Sequence, residues 1–441
     1  MEWWAITLIL FGGLILLLMV GIPVAFSFWI IVIAGFFFFA GGTAGLYSVV
    51  TSLRSSIAVF TFLPVPLFII MGDVLFQSGI GARILDVFEI WLGNLPGRLS
   101  LVAVGVGTLF ASLSGSSLGT TAMLSASLAP DMRQRGYDSK MIVGPIMAGG
   151  MLSVIIPPSI LLVLLGGLAR VSVAELLLAG IIPGILLSLL FAGHIVITCM
   201  LSPSLIPPAL PMSVLPRSKK IRLAVIEVLP VGIIIFLVLG TIFLGVATPT
   251  EASALGAFGC FVLAFAQRRL NNWGIMKKIV MSSVRTTAVT IIIVTGSMAF
   301  SQLLALTGAT QALMEIATGL TVHPLLIISV TLFILILLGC FIDQISMLMI
   351  GVPIFVPLAQ TLGFDPIWYG ILFVMAITLG FITPPFGMLF FVVKGTIKED
   401  ISMGTIYRSG VPYLMLGIIA LIILMFVPKL VTWLPELMIM R

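Results

Sequence analysis

Charge is what this chain has least of. Only 8% of its 441 residues are Asp, Glu, Lys or Arg, against roughly 25% in soluble domains, and that excludes a water-soluble globular enzyme. Histidine is nearly missing: His194 lies in an apolar span and His323 beside Pro324, neither with a metal-ligand companion at useful spacing. Cys199, Cys260 and Cys340 sit singly inside apolar segments, so neither a disulfide framework nor a zinc site is indicated. No GxxxxGK followed by Ser or Thr occurs, so ATP is not the direct energy source. The start, Met-Glu-Trp-Trp, lacks a basic leader and a small-residue cleavage site before Gly21. The first apolar run is therefore expected to be retained as a span. The 21 Lys and Arg exceed the 15 Asp and Glu, but they are spread over many loops. That pattern reports membrane orientation rather than nucleic-acid binding.

What fills the chain instead is hydrocarbon, 61% of all residues. The reading is an all-α polytopic membrane protein. Full spans are expected at Trp3–Val20, Val24–Ala40, about Ile57–Phe76, Ile181–Met200, Ile226–Leu244, Ala252–Ala266, Thr286–Leu306 and Val411–Val427. Trp3 and Trp4 suit a membrane–water interface. Gly81–Arg98 mixes Arg83, Asp86, Glu89 and Arg98 with apolar residues, as an amphipathic helix lying in the interface does.

Two other kinds of segment are too short or too broken for simple spans. Residues 99–130 hold two apolar legs joined at Ser114-Gly115-Ser116-Ser117. Each leg is about half to two-thirds of a bilayer crossing, so the pair reads as a re-entrant hairpin. Residues 141–168 form an apolar helix broken at Pro157-Pro158. A seam follows at 201–225, with Pro203, Pro207, Pro208, Pro211 and Pro216 leading into Arg217, Lys219, Lys220 and Arg222. The pattern then restarts: a basic loop with Arg268, Arg269, Lys277 and Lys278, a hairpin over 325–358 tipped by Asp343 and Gln344, and a helix over 367–393 broken at Pro384-Pro385.

A shift of 227 carries Pro130, Gly136, Asp138, Pro157 and Pro158 onto Pro357, Gly363, Asp365, Pro384 and Pro385. Two structural repeats are expected, 1–200 and 226–441, joined by a cytoplasmic linker at 201–225. The loop after the first hairpin carries Arg133, Arg135 and Lys140, and its partner, Ala359–Trp368, carries no Lys or Arg. The broken helices reverse the bias: the first exits to Arg170 alone, the second to Lys394, Lys398 and Arg408. The positive-inside rule then makes the repeats inverted, with both termini outside. A parallel pair would need an even number of crossings per half. About ten full spans, two hairpins and two broken helices make up the expected architecture.

The chemistry is expected where the apolar pattern breaks. An ionised carboxylate inside hydrocarbon costs on the order of 3 kcal/mol, so Asp343 is a functional candidate, as a proton acceptor or beside a bound cation. Proline removes a backbone donor, so Ile155-Ile156-Pro157-Pro158 and Ile382-Thr383-Pro384-Pro385 free carbonyls that a cation suits. Gly149, Gly150 and Ser153 lead into the first break, and Gly380 and Thr383 into the second. Asp73 ranks lower, and Thr248-Pro249-Thr250-Glu251 reads as a capping box with proline at the first helical position. An intramembrane hydrolase would need a second facing acid, or a basic partner for a serine, which the sequence does not offer. A passive channel seldom needs two broken-helix sites.

With these pieces in hand, the chain resembles the large membrane subunit (DctM type) of tripartite ATP-independent periplasmic (TRAP) transporters, over essentially its whole length. The resemblance rests on Leu113-Ser114-Gly115-Ser116-Ser117, Ile155-Ile156-Pro157-Pro158-Ser159, Gly339-Cys340-Phe341-Ile342-Asp343 and Thr383-Pro384-Pro385-Phe386-Gly387. It implies Na⁺-driven uptake of small carboxylates across the bacterial inner membrane by an elevator motion. It also implies two partners, a small four-span membrane subunit on a separate chain and a periplasmic substrate-binding protein. Carried over by position, the substrate site takes Ser114, Gly115, Ser116, Ser117, Pro157, Asp343, Gln344 and Pro384. The Na⁺ candidates are Ser116, Gly149, Gly150, Ser153, Ile156, Asp343, Ser346, Gly380 and Thr383. A stand-alone ion-coupled carboxylate symporter is the alternative.

Overall fold

A computed structural model describes residues 3–57, 59–93, 95–207, 216–270, 272–319, 321–397 and 401–439. Pro208 and Pro211 of the seam, and Lys398 of the charge comparison, lie outside the described residues. The first half runs α1 (Trp3–Met19), α2 (Val24–Phe39), α3 (Thr43–Ile57), a 3-10 turn at Phe60–Phe62, α4 (Pro64–Gln77), α5 (Ile80–Leu92), α6 (Arg98–Ser114), α7 (Ser117–Gln134), α8 (Ser139–Ile155), α9 (Ile160–Ala169), α10 (Val173–Ala179) and α11 (Ile181–Leu201). The second runs α12 (Arg217–Leu223), a π turn at Ala224–Val228, α13 (Leu229–Phe243), α14 (Pro249–Ala266), α15 (Trp273–Leu306), α16 (Ala309–Gly319), α17 (Pro324–Gly339), α18 (Gln344–Thr361), α19 (Pro366–Gly380), α20 (Met388–Thr396), α21 (Met403–Phe426) and α22 (Lys429–Ile439). Among the described residues every regular element is helical, and eight helices are long and apolar enough to cross a membrane. The protein is a multi-pass membrane protein.

The shift of 227 holds in the elements. It carries α7 onto α18 residue for residue, and α8 and α9 onto α19 and α20 to within two residues. It also carries the caps. Ser116 and Asp343 open α7 and α18, and Asp138 and Asp365 open α8 and α19, each accepting a backbone N–H from the first turn of its helix. Ser172 and Ser402 do the same for α10 and α21 at an offset of 230. The halves part where proline differs. In the first half the chain breaks before Pro64 and Pro66, which sit in the first turn of α4. The matching α15 holds no proline and runs unbroken for 34 residues.

The two broken helices form the centre. Every residue of Met141–Ile155 and of Ile367–Gly380 is buried, and a helix apolar all round belongs in a core. The hairpin helices cross them closely. Gly107 of α6 meets Gly149 of α8 backbone to backbone, and Gly339 of α17 meets Gly380 of α19 in the same way; a Cβ at any of the four would strike the facing chain. Outside, Leu8, Phe38, Phe236, Phe258 and Phe265 are exposed, as a lipid-facing surface requires.

Several boundaries differ from the sequence reading. Helix α3 was not anticipated, because its serines, threonines and Arg54 dilute the apolar signal that marks a span. Arg217–Arg222 fold into α12, which continues through the π turn into α13, so the linker is shorter than 201–225. Lys277 and Lys278 lie on α15, one turn inside its Asn272 cap, rather than in a loop. The closing helix α22 carries Lys429 and Glu436, paired at 2.8 Å, and was also missed.

Candidate functional site

The two hairpin tips are built alike and carry different chemistry. Gly115 adopts φ +57°, a left-handed turn at which a side chain would press on Ile160. Next to it the Ser116 hydroxyl accepts from the Gly119 N–H at 3.2 Å. At the matching position the Asp343 carboxylate accepts from the Ser346 N–H at 3.1 Å and from the Ser346 hydroxyl. Each cap satisfies donors that the helix start leaves open, but one brings a neutral hydroxyl and the other a charge. The tips meet: the Ser117 hydroxyl donates to Gln344 Oε1 at 3.2 Å. These two residues are 227 apart, so each tip touches the other at its equivalent position. The Ser114 side chain lies outside the described residues, and only its place at the end of α6 is fixed.

Beneath this contact lies a cavity of about 130 Å³. Its walls are Gly115, Ser116, Ser117 and Leu118 from the first tip, Asp343, Gln344 and Ile345 from the second, and Ile160 and Leu161 from α9. Ile69 of α4, Thr286 and Thr290 of α15, and Phe381 complete it. Three helices, α7, α9 and α18, begin here. Their N-terminal ends direct partial positive charge and open N–H groups into the space, while among the described residues no Lys, Arg or His lines it. Such helix starts can hold an anion without a fixed positive side chain, once a cation offsets the Asp343 carboxylate that also lines the cavity. Thr286 and Thr290 escaped the sequence reading. Their signal was two threonines four apart on one helix face in an otherwise apolar run.

The prolines shape the cavity from behind and do not line it. Both pairs, Pro157-Pro158 and Pro384-Pro385, are cis. In the first break, Pro157 and Pro158 have no N–H, so the Ser153 and Val154 carbonyls lose their helical donors; the Ser153 hydroxyl itself turns back to the Gly150 carbonyl at 2.5 Å. In the second break the carbonyls are taken up locally. Leu379 O accepts from the Thr383 hydroxyl at 2.8 Å, Gly380 O from the Thr383 N–H at 3.0 Å, and Phe381 O from the Leu389 N–H at 3.3 Å. Gly149 and Gly150 face the first hairpin, Ile156 packs on Gly184 of α11, and Gly380 packs on Gly339. Thr383 also borders a separate apolar groove between α17 and α21. The structure thus gathers Ser116, Ser117, Asp343 and Gln344 at the cavity, with Gly149, Gly150, Ser153 and Gly380 in the helix crossings behind it.

Remaining candidates have structural places. Asp73 on α4 accepts from Ser282 at 3.2 Å and Ser283 at 2.6 Å, tying α4 to α15. The Thr248–Glu251 capping box is present. His323 caps α17, its Nδ1 accepting from the Leu325 N–H at 3.2 Å. His194 stands edge-on to Tyr413 at 5.3 Å. At the base of the first hairpin Glu89 of α5 bonds Arg98 at 3.2 Å and Arg135 at 2.5 Å, and Arg135 bonds Asp131 at 2.7 Å.

Paired hairpins closing on broken helices define a class, the membrane transporters. The chain shares its fold with the solved YdaH transporter of Alcanivorax borkumensis, with a TM-score of 0.65 over 88% of this chain and 89% of that one, at 16% identity. The family follows from the sequence match: residues 11–430 fit the tripartite ATP-independent periplasmic transporter, DctM component, and the chain belongs to that family. It is 31% identical to the C4-dicarboxylate TRAP transporter large permease protein DctM of Pseudomonas aeruginosa, over 86% of each chain. It is 30% identical to the sialic acid TRAP transporter large permease protein SiaM of Vibrio cholerae, over 96% of each. These relatives are named as permease subunits, not as enzymes.

Proposed function

We propose that this chain is the transmembrane subunit of a Na⁺-coupled, binding-protein-dependent transporter that imports a small organic acid across a bacterial inner membrane. The observation that carries the reading is the cavity where the tips meet, with three helix N-termini turned inward and membership of a tripartite family behind it. The acid's carboxylate would accept N–H and hydroxyl donors from the starts of α7, α9 and α18. Na⁺ is a hard ion that takes oxygen ligands, and the Ser153 and Val154 carbonyls, together with the Asp343 carboxylate, offer them. The hairpins and broken helices would move as one body against α4, α15 and the outer spans, an elevator motion. Contact between equivalent residues Ser117 and Gln344 is what a two-fold-related pair makes on its axis, which supports paired repeats. The Lys and Arg bias is what favours their inversion. A small membrane subunit and a periplasmic binding protein would complete the assembly, as the family's description as tripartite suggests.

The test is uptake by proteoliposomes holding this chain with its membrane partner. The reading expects acid uptake that needs an inward Na⁺ gradient and the binding protein. Uptake by the chain alone, without a binding protein, would favour a stand-alone symporter. Uptake indifferent to Na⁺ would remove the coupling. Cysteine labelling tests the topology: a cysteine at Ser139 should react only from the cytoplasm and one at Gln360 only from outside, and same-side labelling would overturn the inversion.

A further inference from the structure

The cavity holds one polar group that the carboxylate reading leaves unused. Gln344 is 8% exposed and lines the space. Its Oε1 is held by Ser117, while its amide nitrogen is buried with no hydrogen-bond partner. A buried amide left open is costly unless something accepts from it. The group is a neutral donor, fixed in direction by the Ser117 bond, beside the N-terminus of α18.

Three further features limit what it meets. The cavity of about 130 Å³ is far below the ~300 Å³ lower bound usual for drug-sized ligands. It equals roughly four water volumes, the size of a skeleton of a few carbons. Among the described residues no Lys, Arg or His lines it, and Asp343 does, so a second carboxylate on the ligand would find a like charge and no side-chain counter-ion. The walls at Ile69, Leu118, Ile160, Ile345 and Phe381 are apolar, which suits a short hydrocarbon end.

From these features, and resting on the carboxylate-transport reading above, we infer that this chain's cavity selects a small monocarboxylate bearing a 2-oxo or 2-hydroxy oxygen, and that Gln344 is its specificity-determining residue. The carboxylate takes the helix N-termini and hydroxyls. The neighbouring oxygen accepts from the Gln344 amide. Gln344 has no hydroxyl or amide counterpart elsewhere in the repeat frame except Ser117, the residue that orients it.

The experiment is direct binding to the purified full-length chain in nanodiscs with Na⁺ present, using pyruvate, lactate, propionate, succinate and N-acetylneuraminate as probes. The wild-type chain should bind pyruvate or lactate about tenfold or more tighter than propionate, the loss expected when a buried donor goes unpaired, and tighter than succinate or N-acetylneuraminate. Gln344→Leu should bring pyruvate down to the affinity of propionate, with a clearly smaller loss for propionate. Succinate or N-acetylneuraminate binding best would overturn the inference and leave the transport reading standing. Equal weakening of pyruvate and propionate in Gln344→Leu would also overturn it, because the amide would then act only on the fold of the tip. If none of the five acids binds the folded wild-type chain, the inference fails, and the uptake assay with the membrane partner and binding protein decides the transport reading separately. Should Gln344→Leu not fold, the wild-type ranking decides alone.

Discussion

The two halves fasten an arm helix to the base of a hairpin in opposite ways. In the first half, α5 reaches the hairpin through charge, with Glu89 shared between Arg98 and Arg135, and Arg135 also bound to Asp131. In the second half α16 reaches it through hydrocarbon, with Ala317, Ile327 and Leu358 buried together and Leu362 packed on them. The positions correspond: the shift of 227 carries Asp131 and Arg135 onto Leu358 and Leu362. One backbone plan therefore supports two fastenings. Under the inverted topology proposed above, the charged one would face the cytoplasm and the apolar one the opposite side. A hairpin base held by ions can be loosened by salt or substitution, whereas one held by aliphatic side chains responds to lost volume.

The same divergence runs up to the tips. Along α7, Ser117, Thr121 and Ser125 are buried at four-residue spacing, and the matching stripe on α18 is Gln344, Leu348 and Val352. The breaks differ too. In the second, the Thr383 and Leu389 N–H groups take up the Gly380 and Phe381 carbonyls that its prolines free, and the Thr383 hydroxyl bonds Leu379 O. The matching residue of the first break is Ile156, which has no hydroxyl. The first half keeps oxygen donors available, while the second supplies one charge and closes its backbone on itself.

The comparison can be broken at four levels. The largest effect is expected at the shared crossings, where both halves depend on glycine. Gly149→Val or Gly380→Val forces a side chain into the facing backbone, and overpacking of this kind costs about 3 kcal/mol or more. Monodisperse protein on size-exclusion chromatography should be lost in either variant. At the hairpin bases, Leu358→Ala should cost about 2–4 kcal/mol whatever the ionic strength. Glu89→Gln takes the carboxylate from Arg98 and leaves Arg135 with Asp131 alone, and should cost about 1–3 kcal/mol. Thermal melts at low and high salt separate the two, because only the wild-type ionic base should weaken as salt screens it.

At the tips, Asp343→Asn keeps a capping oxygen and removes the charge, so it should lower Na⁺-dependent uptake with little change in melting temperature. Ser116→Ala removes a cap worth about 1 kcal/mol and should lower both modestly. Equal behaviour of the two variants would erase the chemical difference between the tips. The smallest effect concerns Asp86 on α5, whose carboxyl is pushed above the usual range chiefly by burial, with Glu89 and Asp131 adding to it against Arg83. A raised carboxyl binds its proton more tightly folded than unfolded, so Asp86 favours the folded state increasingly as pH falls through its folded value towards the lower unfolded one. Asp86→Asn should slightly raise the melting temperature at pH 7 and flatten its gain on acidification.

Much of this plan was legible in the sequence because prolines, glycines and charges mark it at fixed offsets. Pro157, Pro158, Pro384 and Pro385 located both breaks, and Asp138 and Asp365 marked the starts of both central helices. Helix α3 was hidden because its polar residues suit neither a clean span nor a clean amphipathic stripe. Thr286 and Thr290 were hidden for a different reason. A threonine in a long span reads the same whether it faces lipid, bonds its own helix or borders a cavity, and only the packing of α15 against the tips decides. The Ser117–Gln344 contact also needs three dimensions, although its spacing of 227 was already the repeat offset.

The central claim is that the two tips close on each other at equivalent residues to make one site. Paired cysteines at Ser117 and Gln344, in a background lacking Cys199, Cys260 and Cys340, test it through a short bifunctional thiol crosslinker. Efficient crosslinking within one chain that blocks transport, with neither single cysteine crosslinking, is the predicted result. Crosslinking that appears only between chains, or fails in folded protein, would contradict it.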